Sequence, residues 1–300
     1  MRKGKRIENK SSKTAAYTCT CRASSFLETN SFLKSDDYIA VELLPRLIKY
    51  LLKLKILNFK GKIAPKGIYP YVIARTKYID SIFLQAKESG FDQVLIFGAG
   101  FDSRAIRLLD LDSNIKVFEI DTYHTLNAKT KQFKRRNITK PDTNIYIPLD
   151  FDKEDIKPKL FVNQFNTNKK TLSILEGLTM YLSHSAVAET FELIYDYSAS
   201  GSLVVFDYIY SSVLSKELKY FGESAIFARI NKDREQWTFG IEEGEIENFL
   251  CNFKFDLIEH LDSNNIEKKY FQDCSGKIIT KVNGTHCIVL AKINKQSIKK

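Results

Sequence analysis

The sequence lacks a long hydrophobic run, since no stretch of 18 or more apolar residues occurs in its 300 residues. A transmembrane helix is therefore not expected. The basic N-terminus, residues 1–17, is not followed by an apolar segment, which argues against a secretory signal. The five cysteines are odd in number and have no framework spacing, so we expect reduced thiols and a cytoplasmic protein.

The spacing of a metal site is also missing. The four histidines are dispersed, and none pairs with a cysteine as in a structural zinc site, so no metal is predicted. Internal repeats and low-complexity tracts do not occur. With 44% apolar and 27% charged residues, the composition is that of an ordinary globular protein.

The net charge of +10 is concentrated near the N-terminus, where the first 60 residues hold 13 Lys/Arg against 5 acids. No recognition motif with regularly spaced aromatics accompanies this charge. We therefore interpret it as a lysine-rich solvated face and do not expect nucleic acid as a partner. An RNA-modifying enzyme is the alternative, and it predicts steeply salt-dependent RNA binding.

From about residue 92, short apolar runs alternate with helical patterns, which predicts an α/β sheet. Right-handed crossovers would place the carboxyl ends of the parallel strands on one edge. Strands are predicted at 93–97, 115–120, 144–149, 171–176, 202–208, 253–259 and 286–292. Helices are predicted near 74–88, 102–110, 122–137, 184–199 and 242–251.

The first 70 residues have a different pattern, and we predict that they form a helical cap over this edge. Segment 39–59 has a helical pattern in which basic side chains recur at i, i+3 and i+7 from Arg46. Pro45 should start or kink this helix. A helix lying on a membrane surface is the alternative interpretation.

Glycines and an acid follow the first two predicted strands. Gly98, Ala99 and Gly100 end the first, where they permit a tight turn or close approach of a ligand to the backbone. Asp121 ends the second, with Glu119 two positions earlier on the same side of the strand. An acid about 20 residues after the glycines can accept hydrogen bonds from both hydroxyls of a ribose.

The next two strands also end in acids. Asp150 and Phe151 follow the third strand, where they could bind an adenine amino group and cover its ring. Glu176 follows the fourth strand and could meet an ammonium group. Ligands of open α/β sheets bind at the carboxyl ends of the strands, so these residues together predict a site for a nucleoside-like cofactor.

The absence of a third glycine narrows the choice of cofactor. A dinucleotide-binding loop requires G-x-G-x-x-G, but Ser103 stands at the third glycine position. S-adenosylmethionine has no phosphate, and it needs only a close backbone and carboxylates for its ribose and amino group. It is the cofactor that the sequence favours. A nucleotide-dependent oxidoreductase and a non-catalytic adenine-nucleotide-binding module are the alternatives.

Several segments, in order, resemble the leucine carboxyl methyltransferase family. They are RTKYIDSIF (75–83), QVLIFGAGFDSRAIRL (93–108), VFEIDTYHTLNAK (117–129), IPLDF (147–151) and LEGLTMYLSHSAV (175–187), with further similarity over 11–26 and 235–255. The resemblance implies a class I methyltransferase fold: a Rossmann-like seven-stranded sheet, mostly parallel with an antiparallel last strand, and helices on both faces. It divides the chain into an N-terminal helical cap, 1–70, and an S-adenosylmethionine-binding domain, 71–300.

The resemblance also implies roles for single residues. Arg75 would contact the methionine carboxylate of the cofactor, Glu176 would face its amino group, and Asp121 would hold the ribose with Glu119 nearby. The adenine would lie against Asp150 and Phe151, and the backbone of Gly98, Ala99 and Gly100 would approach the cofactor. Arg22 aligns with a basic residue of the family's N-terminal segment, and Tyr181 is a candidate for lining the substrate pocket. Thr122-Tyr123 stands where bacterial members often have a proline, so the helix that follows could begin differently.

The methyl acceptor is expected to be an oxygen atom, on a small molecule or a peptide C-terminus. A carboxylate is already ionised at pH 7 and needs no base, whereas a hydroxyl requires one. His124 and His184 lie in polar segments where helices begin, so both are predicted to face solvent. The sequence offers no convincing base, which favours a carboxylate acceptor.

Overall fold

The computed structural model describes residues 13–57, 64–150, 154–233 and 237–295. Seven strands form one sheet in the order β3-β2-β1-β4-β5-β7-β6. The strands are β1 (Gln93–Phe97), β2 (Lys116–Asp121), β3 (Asn144–Pro148), β4 (Thr171–Leu175), β5 (Leu203–Ile209), β6 (Phe255–Leu261) and β7 (His286–Ile293). Each predicted strand is confirmed, with both ends within two residues of their predicted positions.

The first five strands pair in parallel, and β7 pairs antiparallel with both β5 and β6. This is the class I methyltransferase sheet that the resemblance implied. The chain leaves β1 toward β2 on one side, while β4 lies on the other side of β1. The strand order therefore reverses between β1 and β4, and a crevice at their carboxyl ends is where open α/β sheets bind ligands.

Helices cover both faces of the sheet. Those in the described residues are α1 (Lys13–Phe26), α2 (Tyr38–Leu43), α3 (Arg46–Lys53), α4 (Ile68–Glu88), α5 (Arg104–Arg107), α6 (Tyr123–Arg135), α7 (Ile156–Val162), α8 (His184–Tyr197), α9 (Ser211–Leu214), α10 (Glu223–Asp233), α11 (Ile246–Asn252) and α12 (Ser263–Phe271). None of these helices combines the length and hydrophobicity that crossing a membrane requires.

The central strands are mostly apolar because both of their faces are covered. All five residues of β1 are buried. On one face, Ile73 and Phe83 of the long helix α4 belong to one hydrophobic cluster. On the other face, Phe191 of α8 and Phe206 of β5 belong to a second cluster, with ring centroids 5.1 Å apart. The two clusters fix the sheet between its helical layers.

Proline divides the predicted helix 39–59. Because proline lacks an N–H and its ring clashes with the preceding turn, it is tolerated only at a helix start. Pro45 is the N-cap residue of α3, and α2 ends just before it. The expectation that Pro45 starts or kinks a helix is confirmed.

Side chains accept hydrogen bonds from backbone N–H groups at the starts of three helices. Ser183 accepts a hydrogen bond from the Ala186 N–H at the start of α8. Asp102 accepts from the Arg104 N–H at 2.7 Å, but α5 is shorter than predicted. Thr122 caps α6 by accepting from the Thr125 N–H, and this helix begins at Tyr123.

The N-terminal helices lie against the carboxyl edge of the sheet. Arg22 of α1 donates from Nη2 to the carbonyl oxygen of Phe101, at 2.7 Å, just after the glycine-rich loop. A methyl group in place of the Gly100 hydrogen would lie 3.0 Å from Cβ of Ala15, also in α1. Helix α1 therefore covers the loop that follows β1.

Candidate active site

The loop after β1 is shaped by two glycines with left-handed backbone angles, φ +63° at Gly98 and φ +55° at Gly100. L-residues with a side chain rarely adopt this conformation. A Cβ at Gly98 would also lie 3.0 Å from Cδ1 of Leu178. Ala99, between the glycines, donates its N–H to the carbonyl oxygen of Ile120 at the end of β2. The loop is therefore held against β2, and neither glycine has room for a side chain.

Asp121 lies beside this loop, as the strand ends predicted. One carboxylate oxygen accepts from the Gly100 N–H at 2.7 Å, and the other accepts from the Thr122 N–H at 2.6 Å. These two bonds hold the carboxylate in one orientation. Each carboxylate oxygen has a second lone pair, so Asp121 keeps the capacity to accept two O–H groups.

Glu119 shares the strand face of Asp121 but lies deeper in the protein. Its carboxylate pairs with the Lys129 ammonium and accepts from Asn144 Nδ2 at 3.1 Å. Burial raises the pKa of Glu119, and Lys129 opposes that shift. Glu119 and Lys129 are both almost fully buried. The contact of Glu119 with a cofactor stays a prediction.

Asp150 follows β3 at the same edge and is partly buried. Its N–H donates to Glu154 Oε2 at 2.8 Å, while the Glu154 N–H donates to the Asp150 carbonyl oxygen. Phe151 lies outside the described residues. The predicted contact of this pair with an adenine therefore stays a prediction.

Glu176, after β4, lies between two arginines. Arg75 Nε is 3.1 Å from Oε1, and Arg104 Nη1 is 2.8 Å from Oε2. Burial alone would raise the pKa of Glu176, but Arg104 and then Arg75 lower it to about 2. Arg75 and Glu176, which were both predicted to lie at the methionine part of the cofactor, are thus brought together, and Glu176 is ionised at neutral pH.

Asp207 was not among the predicted site residues. It lies in β5 and is completely buried. Its carboxylate accepts from Arg75 Nη1 at 2.5 Å, Tyr71 Oη at 2.9 Å and the Gly177 N–H at 2.6 Å. The sequence does contain a signal for Asp207, because it is an acid inside the otherwise apolar run LVVFDYI. A buried charge requires partners.

Arg75 and Glu176 belong to a continuous chain of alternating charges. The chain runs through Arg22, Asp37, Arg107, Asp80, Arg104, Glu176, Arg75 and Asp207, with successive members 2.5–3.5 Å apart. Asp102 also pairs with Arg104. Alternation matters because a buried charge without a partner is very unfavourable. The chain links α1 to β5 across the carboxyl edge of the sheet.

A group of rings lies beside the charged chain. His286, the first residue of β7, contacts the rings of Tyr71 and Trp237 with centroids at 4.6 and 5.4 Å. Trp237 also contacts Tyr181, the predicted pocket residue, at 6.4 Å. The indole Nε1 of Trp237 is buried and has no hydrogen-bond partner among the described residues. It is therefore a donor that a bound ligand could satisfy.

The histidines differ in how far they are exposed. His124 and His184 are exposed, as predicted. Burial, followed by the charge of Arg75, lowers the pKa of His286 to about 3. His286 is therefore neutral at physiological pH, and its Nδ1 is 2.7 Å from the Thr285 hydroxyl.

Comparison with known proteins agrees with this geometry. The sequence profile described as leucine carboxyl methyltransferase matches residues 31–195, which is more than half of the chain. A Bacillus subtilis (strain 168) protein named as an S-adenosyl-L-methionine-dependent methyltransferase, YktD, is 25% identical over 219 residues, covering 73% of this chain and 71% of YktD. A Frankia alni protein with the same type of name, FRAAL3718, is 34% identical over 131 residues, covering 44% of this chain and 45% of its own.

Solved structures share the fold over nearly the whole chain. A Thermobifida fusca YX protein described as a methyltransferase superposes with a TM-score of 0.59 at 14% identity, covering 96% of both chains. A DUF574 family protein from Streptomyces avermitilis has a TM-score of 0.56 at 13% identity, covering 96% of this chain and all of the other. Sheet order, site geometry and profile agree, and the chain belongs to the leucine carboxyl methyltransferase family.

Proposed function

We propose that this protein transfers the methyl group of S-adenosyl-L-methionine to a carboxylate oxygen, on a small molecule or at a peptide C-terminus. The S-adenosylmethionine-dependent methyltransferase activity follows from family membership. The oxygen acceptor is our proposal, with a hydroxyl as its alternative. The observation that supports the cofactor is the pair of oppositely charged groups, Arg75 and Glu176, at the same edge of the sheet as the glycine loop and Asp121. The observation that supports the oxygen acceptor is the buried indole N–H of Trp237, which has no partner among the described residues.

The residues at the edge fit the cofactor. Asp121 would accept the two ribose hydroxyls with its remaining lone pairs. The methionine part carries an ammonium and a carboxylate, for which Glu176 and Arg75 supply the opposite charges. Within the described part of the chain, Arg75 uses Nε for Glu176 and Nη1 for Asp207, and Nη2 would meet the carboxylate. Asp150 and Phe151 would complete the site at the adenine.

The cofactor supplies an electrophilic methyl group on a sulfonium, and the protein must align the acceptor oxygen with it. A carboxylate acceptor arrives ionised and needs no base. His286 supports a carboxylate acceptor over a hydroxyl acceptor. An imidazole with a pKa of about 3 is a weak base, and only a hydroxyl requires a base. Trp237 Nε1 is a buried donor that would hold the acceptor carboxylate.

We assign residues 1–70 to a cap and residues 71–300 to the cofactor-binding domain. The bond from Arg22 to Phe101 and the contact of α1 with the glycine loop support this division. We place the protein in the cytoplasm, because all five cysteines are free thiols.

Calorimetric titration with S-adenosylhomocysteine tests the cofactor site. We expect micromolar binding by the wild type and a loss of about tenfold or more in Asp121→Ala, because two hydrogen bonds to a charged group disappear. Asp142→Ala, at an exposed acid before β3, is the control and should bind like wild type. Binding of NADH in preference to S-adenosylhomocysteine would contradict the assignment and favour the oxidoreductase.

A second ligand separates the two halves of the site. 5′-Methylthioadenosine has the adenosine part but lacks the amino acid. Arg75→Lys should weaken S-adenosylhomocysteine by about tenfold or more, because lysine cannot reproduce the guanidinium fork. The same variant should leave 5′-methylthioadenosine nearly unchanged, whereas Asp121→Ala should weaken both. Equal losses for both ligands in Arg75→Lys would show a structural role and refute the carboxylate contact.

The acceptor atom is tested with S-adenosylmethionine labelled in its methyl group, incubated with a small-molecule extract and a peptide library. A carboxyl methyl ester releases labelled methanol in mild alkali, whereas a methyl ether does not. We expect alkali-labile product. Alkali-stable product would favour a hydroxyl acceptor, and binding of cofactor without any product would favour the non-catalytic module.

A further inference from the structure

Helix α3 presents apolar side chains to solvent. Leu47, Tyr50 and Leu54 recur at i, i+3 and i+7 and so lie along one face of the helix. Together with Ile56 they expose between 50% and 66% of their surface. The opposite side faces the protein, where Leu52 is buried. Single exposed apolar residues are ordinary, but a continuous row of them marks an interaction surface.

A basic row runs beside the apolar one. Arg46, Lys49 and Lys53 have the same spacing, offset by one residue, and Lys55 follows the helix. Lys49 is paired with Glu42 at 2.5 Å, whereas Arg46, Lys53 and Lys55 are exposed. The sequence contains no acid between Glu42 and Asp80. Glu42 therefore offsets only Lys49, and the apolar row is bordered by the positive charges of Arg46, Lys53 and Lys55.

We propose that this face of α3 docks the protein on a membrane surface that contains anionic phospholipid. Leucines and a tyrosine would enter the boundary between headgroups and acyl chains, while the basic row would meet the phosphates. A neutral protein surface would satisfy the apolar row but not the basic one. Nucleic acid would satisfy the basic row but leave the leucines exposed. The occupant that matches both rows is an anionic lipid surface, and this docking is independent of the methyl acceptor.

Vesicle co-sedimentation of the full chain tests the proposal. One set of vesicles is phosphatidylcholine, and the other is phosphatidylcholine with an equal amount of phosphatidylglycerol. We expect binding to the anionic vesicles only, weakened by added salt. Leu47→Ser/Leu54→Ser should reduce the partition coefficient by about tenfold or more, because two leucines no longer enter the bilayer boundary.

The matched control is Leu111→Ser/Val162→Ser, which removes two apolar side chains that are 67% and 82% exposed elsewhere on the protein. This control should bind like wild type. Because all four positions are exposed, the variants should retain the wild-type circular dichroism spectrum and melting temperature. A third variant, Arg46→Gln/Lys53→Gln, should bind the anionic vesicles more weakly than wild type, and its remaining binding should depend less on salt.

Four outcomes would overturn the proposal. They are no sedimentation of the wild type, equal binding to neutral vesicles, equal losses in the leucine variant and its control, and self-association that the leucine variant abolishes without any vesicle binding. The last would identify a second copy of the chain as the occupant. RNA binding that the leucine variant leaves intact, in the absence of vesicle binding, would identify a nucleic-acid surface.

Discussion

Arg75 Nη1 lies 2.5 Å from Oδ2 of Asp207, although 132 positions separate the two residues in the chain. The same carboxylate accepts from Tyr71 on α4 and from the Gly177 N–H in the loop after β4. One buried side chain therefore ties a helix, a strand and a loop together at the carboxyl edge of the sheet. Asp207 positions Arg75, and Arg75 in turn contacts Glu176.

Asp207→Asn should destabilise the protein by about 3–5 kcal/mol, because it removes one of the two carboxylates that compensate the buried Arg75 and leaves it only Glu176, which Arg104 shares. The free energy of unfolding in urea measures this loss. Asp196→Asn, at an exposed acid in α8, should change it by less than about 0.5 kcal/mol. A loss in Asp207→Asn no larger than in the control would show that Arg75 needs no partner in β5.

The stability of the protein should fall between pH 7 and pH 5 because of His286. Its folded pKa, about 3, lies below the ordinary value of 6.5, so the unfolded chain binds the proton first as pH falls. The contribution of His286 to the free energy of unfolding is complete above pH 6.5 and is lost progressively down to about pH 3. Between pH 7 and pH 5 the loss amounts to about 2 kcal/mol.

Urea unfolding at the two pH values measures this effect. In His286→Gln, the difference in the free energy of unfolding between pH 7 and pH 5 should be smaller than in wild type by about 2 kcal/mol. This holds whatever the stability of the variant at pH 7. His184→Gln, at an exposed position, should keep the wild-type dependence. The prediction fails if the slopes of His286→Gln and wild type coincide.

The Glu119–Lys129 pair should behave as a unit. Lys129→Met should cost about 3–5 kcal/mol of stability, because it leaves the buried Glu119 carboxylate uncompensated. Lys129→Met/Glu119→Gln should cost less than this single change. A double-mutant cycle in urea gives the coupling energy, which we expect to exceed about 1 kcal/mol. Additive effects would mean that the two charges do not depend on each other.

Gly100 should be more sensitive to substitution than Gly90. Both have left-handed φ angles, +55° and +71°, but a Cβ at Gly90 meets nothing within 4 Å. Gly90→Ala should therefore cost only the backbone strain, about 1–2 kcal/mol. Gly100→Ala adds a 3.0 Å contact with Ala15, and Gly100→Ala/Ala15→Gly should recover the difference. Equal costs in urea for the two single variants would contradict this contact between α1 and the loop.

Much of the fold follows from the sequence because its signals are local. A strand buried on both faces is a short apolar run whatever its neighbours are, and all seven strands were predicted within two residues at each end. Glycines and acids at strand ends likewise predicted that Gly100 and Asp121 lie at one edge of the sheet, and the two residues are joined there by a 2.7 Å bond. Pro45 predicted a helix boundary because a proline ring is not tolerated in the interior of a helix.

The sequence by itself determined the sheet, the position of its carboxyl edge and the glycines and acids on that edge. Only the tertiary structure decided which charges pair. Arg75 forms an ion pair with Asp207, and Glu119 forms one with Lys129. The tertiary structure also decided that His286 is buried and neutral, and that the apolar row of α3 faces outward. Periodicity reports which side of an element is apolar, whereas an ion pair or a shifted pKa depends on which distant elements the fold places in contact.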